Sequence, residues 1–384
     1  MKKLRIIQVA NVRWFNATAW YALTLARLLG EAGHDVLALV LPGTETAEKA
    51  RGMECECLDM DINSTNPLVS ARQSLRLKTL VKDFRPDIVN CHRGEGMILW
   101  GMLKAAGSDF ALVRTRGDQR PPKPNFANRY LHAKLADAVI ATNSRTALQC
   151  RELLCLREEH VHMIAGGADR AVFKSDPQAR AEVRQRYGIA DHEIVVGLLG
   201  RFDPVKGHKE LMEAFGKIQG GLNGRADSLR LMLVGHPANI SAEEMRLLAD
   251  ALRIGRQTIV TGRVDDVAAH INAMDVGVIA SQGSEAIARA AFEIMSCGVP
   301  LIGTDVGVMP DLLAPHALAG RGNADELASL LGRAAADENF RLLLQREQRE
   351  RMEGFSLECF LEQTLAVYRK ALALPSGLRP EFSL

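Results

Sequence analysis

The chain has few aromatic residues, with Phe, Trp and Tyr at 5% of its 384 positions, and it contains no apolar run long enough to cross a bilayer. Cysteine is sparse and irregular: seven residues, at 55, 57, 91, 150, 155, 297 and 359, with no C-x-x-C pair. An odd, scattered set argues against a disulfide framework or a zinc site, and the one-residue gap between Cys55 and Cys57 is a poor match to metal-ligand spacing. The expectation is reduced thiols in a cytoplasmic protein. A net charge of +2 gives no large excess of either sign, so no nucleic-acid partner is expected. The opening MKKLRIIQVANVRW carries two lysines but only a short apolar stretch before Asn11 and Arg13, so no secretory signal is expected.

Several catalytic signatures are also missing. The first apolar run leads into NVRWFNATAWYA, which has no glycine, and this disfavours the dinucleotide fingerprint of a dehydrogenase. The chain has no Walker lysine loop, no H-E-x-x-H and no G-x-S-x-G elbow. Asp59-Met60-Asp61 has the form of an Asp-x-Asp metal site, but two acids after a strand more often are solvated side chains.

What is present is a rhythm. Short, almost wholly apolar runs at 4–10, 35–41, 87–91, 110–116, 138–143 and 162–167 alternate with helical patterns at 17–32, 70–84, 94–106, 125–136 and 144–154. Continuous apolar runs suit strands buried on both faces, and the alternation predicts a doubly wound parallel sheet. A polar connector follows at 168–193, with Pro177 and a short helix. The rhythm restarts at 193–200, 229–235, 258–262, 276–281 and 300–305. The expected fold is α/β with two Rossmann-like domains facing a cleft, where ligands of open sheets bind. Expected boundaries are 1–172 plus 365–384 for the first domain and 173–364 for the second. Charge divides unevenly: residues 1–170 sum to +6 and the rest to −4.

The second domain holds the clearest candidates. Arg201 and Lys206 flank a turn after its first strand, at the start of a helix, and together are able to clamp a diphosphate. In GSEAIARAAFEIMSCGVP (283–300), Glu285 and Glu293 stand eight apart with Arg289 midway. A helical salt-bridge ladder fits this spacing but contributes only about 0.2–0.5 kcal/mol per pair. The preceding strand and turn residues predict a helix starting near 287, with Glu285 ahead of it and Glu293 among Phe292, Ile294 and Met295. An idle carboxylate is costly there.

These residues carry a resemblance. GR-x-x-P-V-K-G (200–207), LVG (233–235), V-x-G (260–262), E-x7-E (285–293) and CGVPLIGTDVG (297–307) resemble the nucleotide-sugar half of family 4 glycosyltransferases. GHDV (33–36), PDIVNCH (86–92) and ADAVIATNS (136–144) match the first domain more loosely. The resemblance implies a GT-B fold, retention of anomeric configuration, no cofactor and no metal, and a C-terminal helix over 356–374 crossing back to the first domain. It implies that Arg201 and Lys206 hold the donor diphosphate and that Glu293 binds the ribose. Glu285 would bind the transferred sugar, helped by the backbone of Ile287 and Ala288. Arg263 and Val264 would lie near the base, and His92 would approach the sugar and acceptor. In the first domain, Phe15-Asn16-Ala17 replaces the family's glycines, and Asn16 is suited to cap the helix. Glu285-Ala286-Ile287-Ala288 replaces Glu-Gly-Phe-Gly, leaving less room near the sugar.

RTRGDQRPPK (114–123) is unusually basic for the family. Arg114, Arg116, Arg120 and Lys123, with Arg13, Asn16 and Trp14, are candidates to bind an anionic acceptor, unless Asp118 ties the loop structurally. ARQSLRLKTLVKDFR (71–85) mixes Leu75, Leu80 and Phe84 with Arg72, Arg76, Lys78 and Lys82, a pattern for peripheral contact with the inner face of an anionic membrane or for an ordinary surface helix. The expected function is transfer of a sugar from a nucleoside-diphosphate donor to a glycan or glycolipid acceptor, in bacterial lipopolysaccharide or surface-polysaccharide synthesis. The alternatives are a nucleotide-sugar epimerase of the same architecture and a catalytically silent sugar-nucleotide-binding module.

Overall fold

The computed structural model describes residues 2–64, 66–94, 96–118, 120–219, 228–283 and 285–373. Two compact units emerge: Met1–Gly166 with the segment from Leu357 onward, and Gly167–Ser356. Both boundaries differ from the expected 172 and 365. The Ala168 N–H donates to the Phe355 carbonyl at 3.1 Å, and Ala168 bridges to Ser356. Residues just after Gly166 therefore belong to the second unit, and the helix from Leu357 belongs entirely to the first.

The first unit holds strands β1 (Arg5–Ala10), β2 (Asp35–Val40), β3 (Cys57–Asp59), β4 (Ile88–Cys91), β5 (Ala111–Arg116), β6 (Ala138–Ala141) and β7 (Val161–Met163). They form one parallel sheet in the order β3-β2-β1-β4-β5-β6-β7. The apolar runs anticipate all but β3, a three-residue edge strand whose half-exposed residues leave no hydrophobic signal. Between the strands run α1 (Ala17–Glu31), α2 (Glu45–Gly52), α3 (Pro67–Phe84), α4 (Met97–Ala105), α5 (Phe126–Tyr130) and α6 (Ser144–Leu154). Local chemistry sets their starts. Asn16, Thr44, Asn66, Asn125 and Asn143 each accept a backbone N–H of the turn that follows, filling donors that a helix start leaves unpaired.

The second unit holds β8 (Ile194–Leu199), β9 (Leu229–Val234), β10 (Thr258–Gly262), β11 (Val276–Ile279), β12 (Leu301–Thr304) and β13 (Leu318–Ala319). These too are parallel, in the order β10-β9-β8-β11-β12-β13. Its helices are α7 (Pro177–Arg186), α8 (His208–Gln219), α9 (Ala242–Ala251), α10 (Val267–Asn272), α11 (Arg289–Ser296), α12 (Met309–Leu312), α13 (Ala324–Ala336) and α14 (Glu338–Met352). In each sheet the chain reverses direction of winding beside its first strand, between β1 and β4 and between β8 and β11. Open α/β sheets bind ligands outside the carboxyl ends at such a point.

The last helix, α15 (Leu357–Ala373), is fixed on the first unit by a buried polar network. The Tyr368 hydroxyl accepts from Gln8 Nε2 at 2.9 Å and from Asn90 Nδ2 at 2.8 Å. Thr115 Oγ1 donates to Asn90 Oδ1 at 2.9 Å. All four side chains are buried, so each bond is costly to lose. Replacing Tyr368 with Phe leaves two buried amide groups without their acceptor. The expected cost is about 2–4 kcal/mol, read as a lower denaturant midpoint at unchanged slope.

Candidate active site

The loops after β8 and β11 are tied to each other. Asp203, 6% exposed, accepts from Val205 N at 3.0 Å, from Asn239 Nδ2 at 3.0 Å and from Arg201 Nε at 3.2 Å. It thus sets the turn that carries Arg201 and Lys206. Gly207 then adopts φ +74°, and a Cβ there would lie 1.8 Å from the Ala280 carbonyl oxygen. Only glycine permits this approach. From the other side, the Val205 carbonyl accepts from Ser281 Oγ at 2.9 Å and from Gln282 N at 2.7 Å.

With the loops joined, Lys206 Nζ reaches Glu285 Oε1 at 2.6 Å. Glu285 is 4% exposed. Its carbonyl accepts from Val308 N at 2.8 Å, and a Cβ on Gly307 would come within 2.1 Å of that oxygen. Glu285 is thus held by its side chain to the loop after β8 and by its main chain to the loop after β12. Arg201 points differently: its side chain is 46% exposed and, among the described residues, pairs with Asp203 at 3.1 Å.

The helix begins two residues later than expected, at Arg289. Ala288 precedes it as the N-cap in the left-handed region, φ 43° and ψ 51°, and has no side chain able to cap the helix. This is the position where the resemblance places glycine, and alanine there carries strain of about 1–2 kcal/mol. Ile287 and Ala288 are buried. Half of the ladder exists: Arg289 Nε donates to Glu293 Oε1 at 2.6 Å. Burial raises the Glu293 carboxyl above its ordinary pKa, while Arg289 opposes the shift. Glu285 takes no part, because Lys206 holds it. Arg263 is exposed and Val264 half-buried in the loop after β10, which lies two strands from β8.

In the first unit, Asn16 caps α1, accepting from Ala19 N at 3.1 Å. Arg13 and Trp14 line a depression of about 720 Å³ with Asn11, Thr44, Asn63 and Arg93. Three expectations are corrected here. His92 is not open to a ligand: it is fully buried, its Nε2 bonds Gln8 Oε1 at 2.7 Å, and burial with nearby Arg114 pushes its pKa down to about 3. Arg114 is also fully buried, donating to the Cys91 and Thr115 carbonyls and to Asp118 at 2.6 Å. Arg116, 8% exposed, donates to the Arg120 carbonyl at 2.5 Å. Asp118 and the backbone thus absorb these two arginines, which are built inward, whereas Arg120 and Lys123 are exposed. Asp59 is likewise taken, by both its oxygens on Arg51. Among the described residues no cluster of His, Cys, Asp or Glu fits a metal, and all seven cysteines are free thiols.

The residues sequence reasoning missed are Asp203, Ser281 and Gln282. Asp203 had a signal, since Asp-Pro after a strand is a turn and cap pattern. Ser281 and Gln282 had none, because their partner lies 76 or more positions away in the chain.

Two parallel, doubly wound units with these loops define the GT-B fold. The match to solved structures bears this out: a glycosyltransferase from Rickettsia africae superposes with a TM-score of 0.85 at 18% identity, covering 97% of this chain and 100% of that one. HepE of Anabaena, solved with UDP and glucose, gives a TM-score of 0.80 at 17% identity, covering 95% and 99%. Residues 18–172 match the model for Glycosyltransferase Family 4 and residues 179–353 the model for Glycosyl transferases group 1. Each half of the chain is therefore a glycosyltransferase family domain. The D-inositol 3-phosphate glycosyltransferase of Saccharomonospora viridis is 25% identical over 277 residues, 70% of this chain and 63% of the relative's length.

Two outcomes follow from the geometry. His132 and His208 are buried like His92, and burial lowers each to about 4. The unfolded chain binds protons at these sites first as pH falls. Stability is therefore full above the ordinary value of 6.5 and is lost on going down toward pH 3. Each histidine adds a slope of up to about 1.4 kcal/mol per pH unit. Denaturation at stepped pH checks this, with His92→Gln giving a shallower fall. Separately, Ala288→Gly is expected to raise stability by about 0.5–1 kcal/mol by relieving the left-handed alanine, read as a higher Tm.

Proposed function

We propose that the chain is a glycosyltransferase whose second unit holds a nucleoside-diphosphate sugar and whose first unit presents the acceptor. The observation that carries this reading is the Lys206–Glu285 pair at the winding reversal of the second sheet, with Arg201 exposed beside it. A cation at hydrogen-bond distance from a carboxylate, on two tied loops, is poised to exchange that partner for phosphate while the carboxylate turns to sugar hydroxyls. Arg201 supplies planar donors for two phosphate oxygens, and Lys206 a compact charge. The start of α11 adds the positive end of its dipole. Glu293 with Arg289 suits the ribose, and the loop of Arg263 and Val264 the base.

In this reading the transfer is retaining and metal-independent. The acceptor oxygen bonds to the anomeric carbon on the face the leaving group vacates. The bond from that carbon to the diphosphate oxygen breaks, and a phosphate oxygen takes the acceptor's proton. Arg201 and Lys206 stabilise the negative charge that grows on the diphosphate, as preorganised electrostatic catalysis. Glu285 orients the sugar and is not a nucleophile. The burial of Ile287 narrows the space beside that sugar.

The acceptor is a glycan or glycolipid of bacterial surface-polysaccharide or lipopolysaccharide type. A phosphorylated polyol is the second reading, supported by the relative's name and by Arg13 and Arg93 lining the first unit's depression. The epimerase alternative loses support, because His92 is buried and held by Gln8.

Calorimetric titration with UDP and GDP tests the donor site. Arg201→Ala and Lys206→Ala are each expected to weaken binding of the preferred diphosphate about 10- to 100-fold, and unchanged affinity in both would refute the assignment. Glu285→Gln should leave diphosphate affinity within about threefold while sugar transfer falls steeply. Parallel assays with a core oligosaccharide and with inositol 3-phosphate separate the acceptor classes, and an epimer formed without acceptor would support the alternative.

A further inference from the structure

The start of α11 places a cation and a carboxylate on one helical face. Ala288 closes the preceding loop in the left-handed region, so the first helical residue is Arg289. Glu293 follows four positions later, one turn along the same face. Arg289 Nε donates to Glu293 Oε1 at 2.6 Å. The two ends of this bond differ in surroundings: the arginine side chain is 41% exposed and the glutamate side chain 6%. Phe292, Ile294 and Met295, the chain neighbours of Glu293, are buried as well.

That asymmetry decides what the pair does. Two exposed partners four apart on a helix contribute little. A buried carboxylate that loses its partner takes up a proton and gives up its charge. Burial does raise the Glu293 carboxyl above its ordinary pKa, and Arg289 opposes the rise.

The elements packed on α11 are α10, α14, β11 and β12. β11 and β12 contain no ionisable residue. His270 of α10 is engaged by Asp266 and Tyr187. On α14, Gln345 and Gln348 turn neutral amides to the Gly298 carbonyl and the Leu301 backbone. Arg341 of α14 donates to the Ala334 and Ala335 carbonyls, Glu347 pairs with His316, and the remaining charged side chains of that helix are exposed. Cys297, one turn beyond Glu293, is pushed up to about 12 by burial and by Glu293, and stays neutral. Arg289 is therefore the group that sets the charge of Glu293.

That charge matters to a nucleotide. Its ribose offers two vicinal hydroxyls, each a donor. An ionised carboxylate is acceptor-only and takes both, whereas a protonated one spends part of that capacity on its own O–H. Hydrogen bonds to an ionised acceptor are also the stronger ones.

We propose that Arg289 is a positioning residue of the ribose subsite: it fixes one oxygen of Glu293 and maintains the carboxylate as acceptor for both ribose hydroxyls. The proposal rests on the reading that Glu293 binds the ribose, and it adds a residue that acts through Glu293.

The test is a ratio of dissociation constants, that of the 2′-deoxy form over that of the ribo form of one nucleotide. The nucleotide is UDP or GDP, whichever the full chain binds more tightly, and calorimetry covers mildly acid to alkaline pH. Phosphate titration is common to both forms and cancels in the ratio. In the unaltered chain the 2′-deoxy form is expected to bind about 10- to 100-fold more weakly where Glu293 is ionised. The carboxylate is present above the Glu293 pKa and lost as pH falls through it, so the ratio drops toward one at the acid end. In Arg289→Leu the drop should come about one to three pH units higher. The full ratio should return at alkaline pH, which also shows that the variant is folded. Arg289→Lys keeps the charge and should hold the drop near its original pH, while Glu293→Gln should give a low ratio that is the same at every pH. An Arg289→Leu ratio that follows the unaltered chain, or that stays low even at alkaline pH, would overturn this inference alone. A ratio near one in the unaltered chain at every pH would overturn it together with the ribose reading.

Discussion

The second unit depends on one close approach, that of the turn at Gly207 to the end of β11. It brings the Val205 carbonyl under Ser281 and Gln282 and sets Lys206 2.6 Å from Glu285. Neither loop has a regular ladder of its own. Each borrows order from the other, and Val308 and Gly307 complete the hold on the Glu285 main chain. A half-buried ion pair adds little net stability, because desolvation offsets the attraction. Its value here is positional: two groups of opposite sign are kept together at the end of the sheet.

Much of the fold was legible because parallel strands buried on both faces write continuous apolar runs. Eleven of the thirteen strands lie on such runs. β3 and β13 do not, since three- and two-residue edge strands bury too little to leave a pattern. Helix starts were equally readable where Asn or Thr stood before the helical pattern, as at Asn16 and Asn143. The start of α11 was misplaced by two residues, because Ala288 adopts a left-handed backbone that alanine seldom takes and nothing in its identity signals.

The site itself was legible only in part. Arg201, Lys206, Glu285 and Glu293 stood out by type and spacing. How they pair did not, since Lys206 and Glu285 are 79 residues apart and the local alternative, Arg289, was a valid partner by spacing. The basic segment at 114–123 misled for a related reason. Charge composition does not state direction, and a strand-borne arginine such as Arg114 points into the unit as readily as out of it. Its guanidinium ended among the Cys91 and Thr115 carbonyls and Asp118. Similarly, His92 at a strand end satisfied the pattern of a functional histidine, yet it is buried against Gln8 and the Tyr21 ring.

The central claim is that the loops after β8 and β11 act as one donor-binding element. Hydrogen exchange across residues 200–207 and 285–293, with and without the nucleoside diphosphate that binds, tests it most directly. The account predicts that both segments gain protection together and that Gly207→Ala abolishes the gain in both. Protection confined to one segment, or gained in both regardless of Gly207, would contradict it.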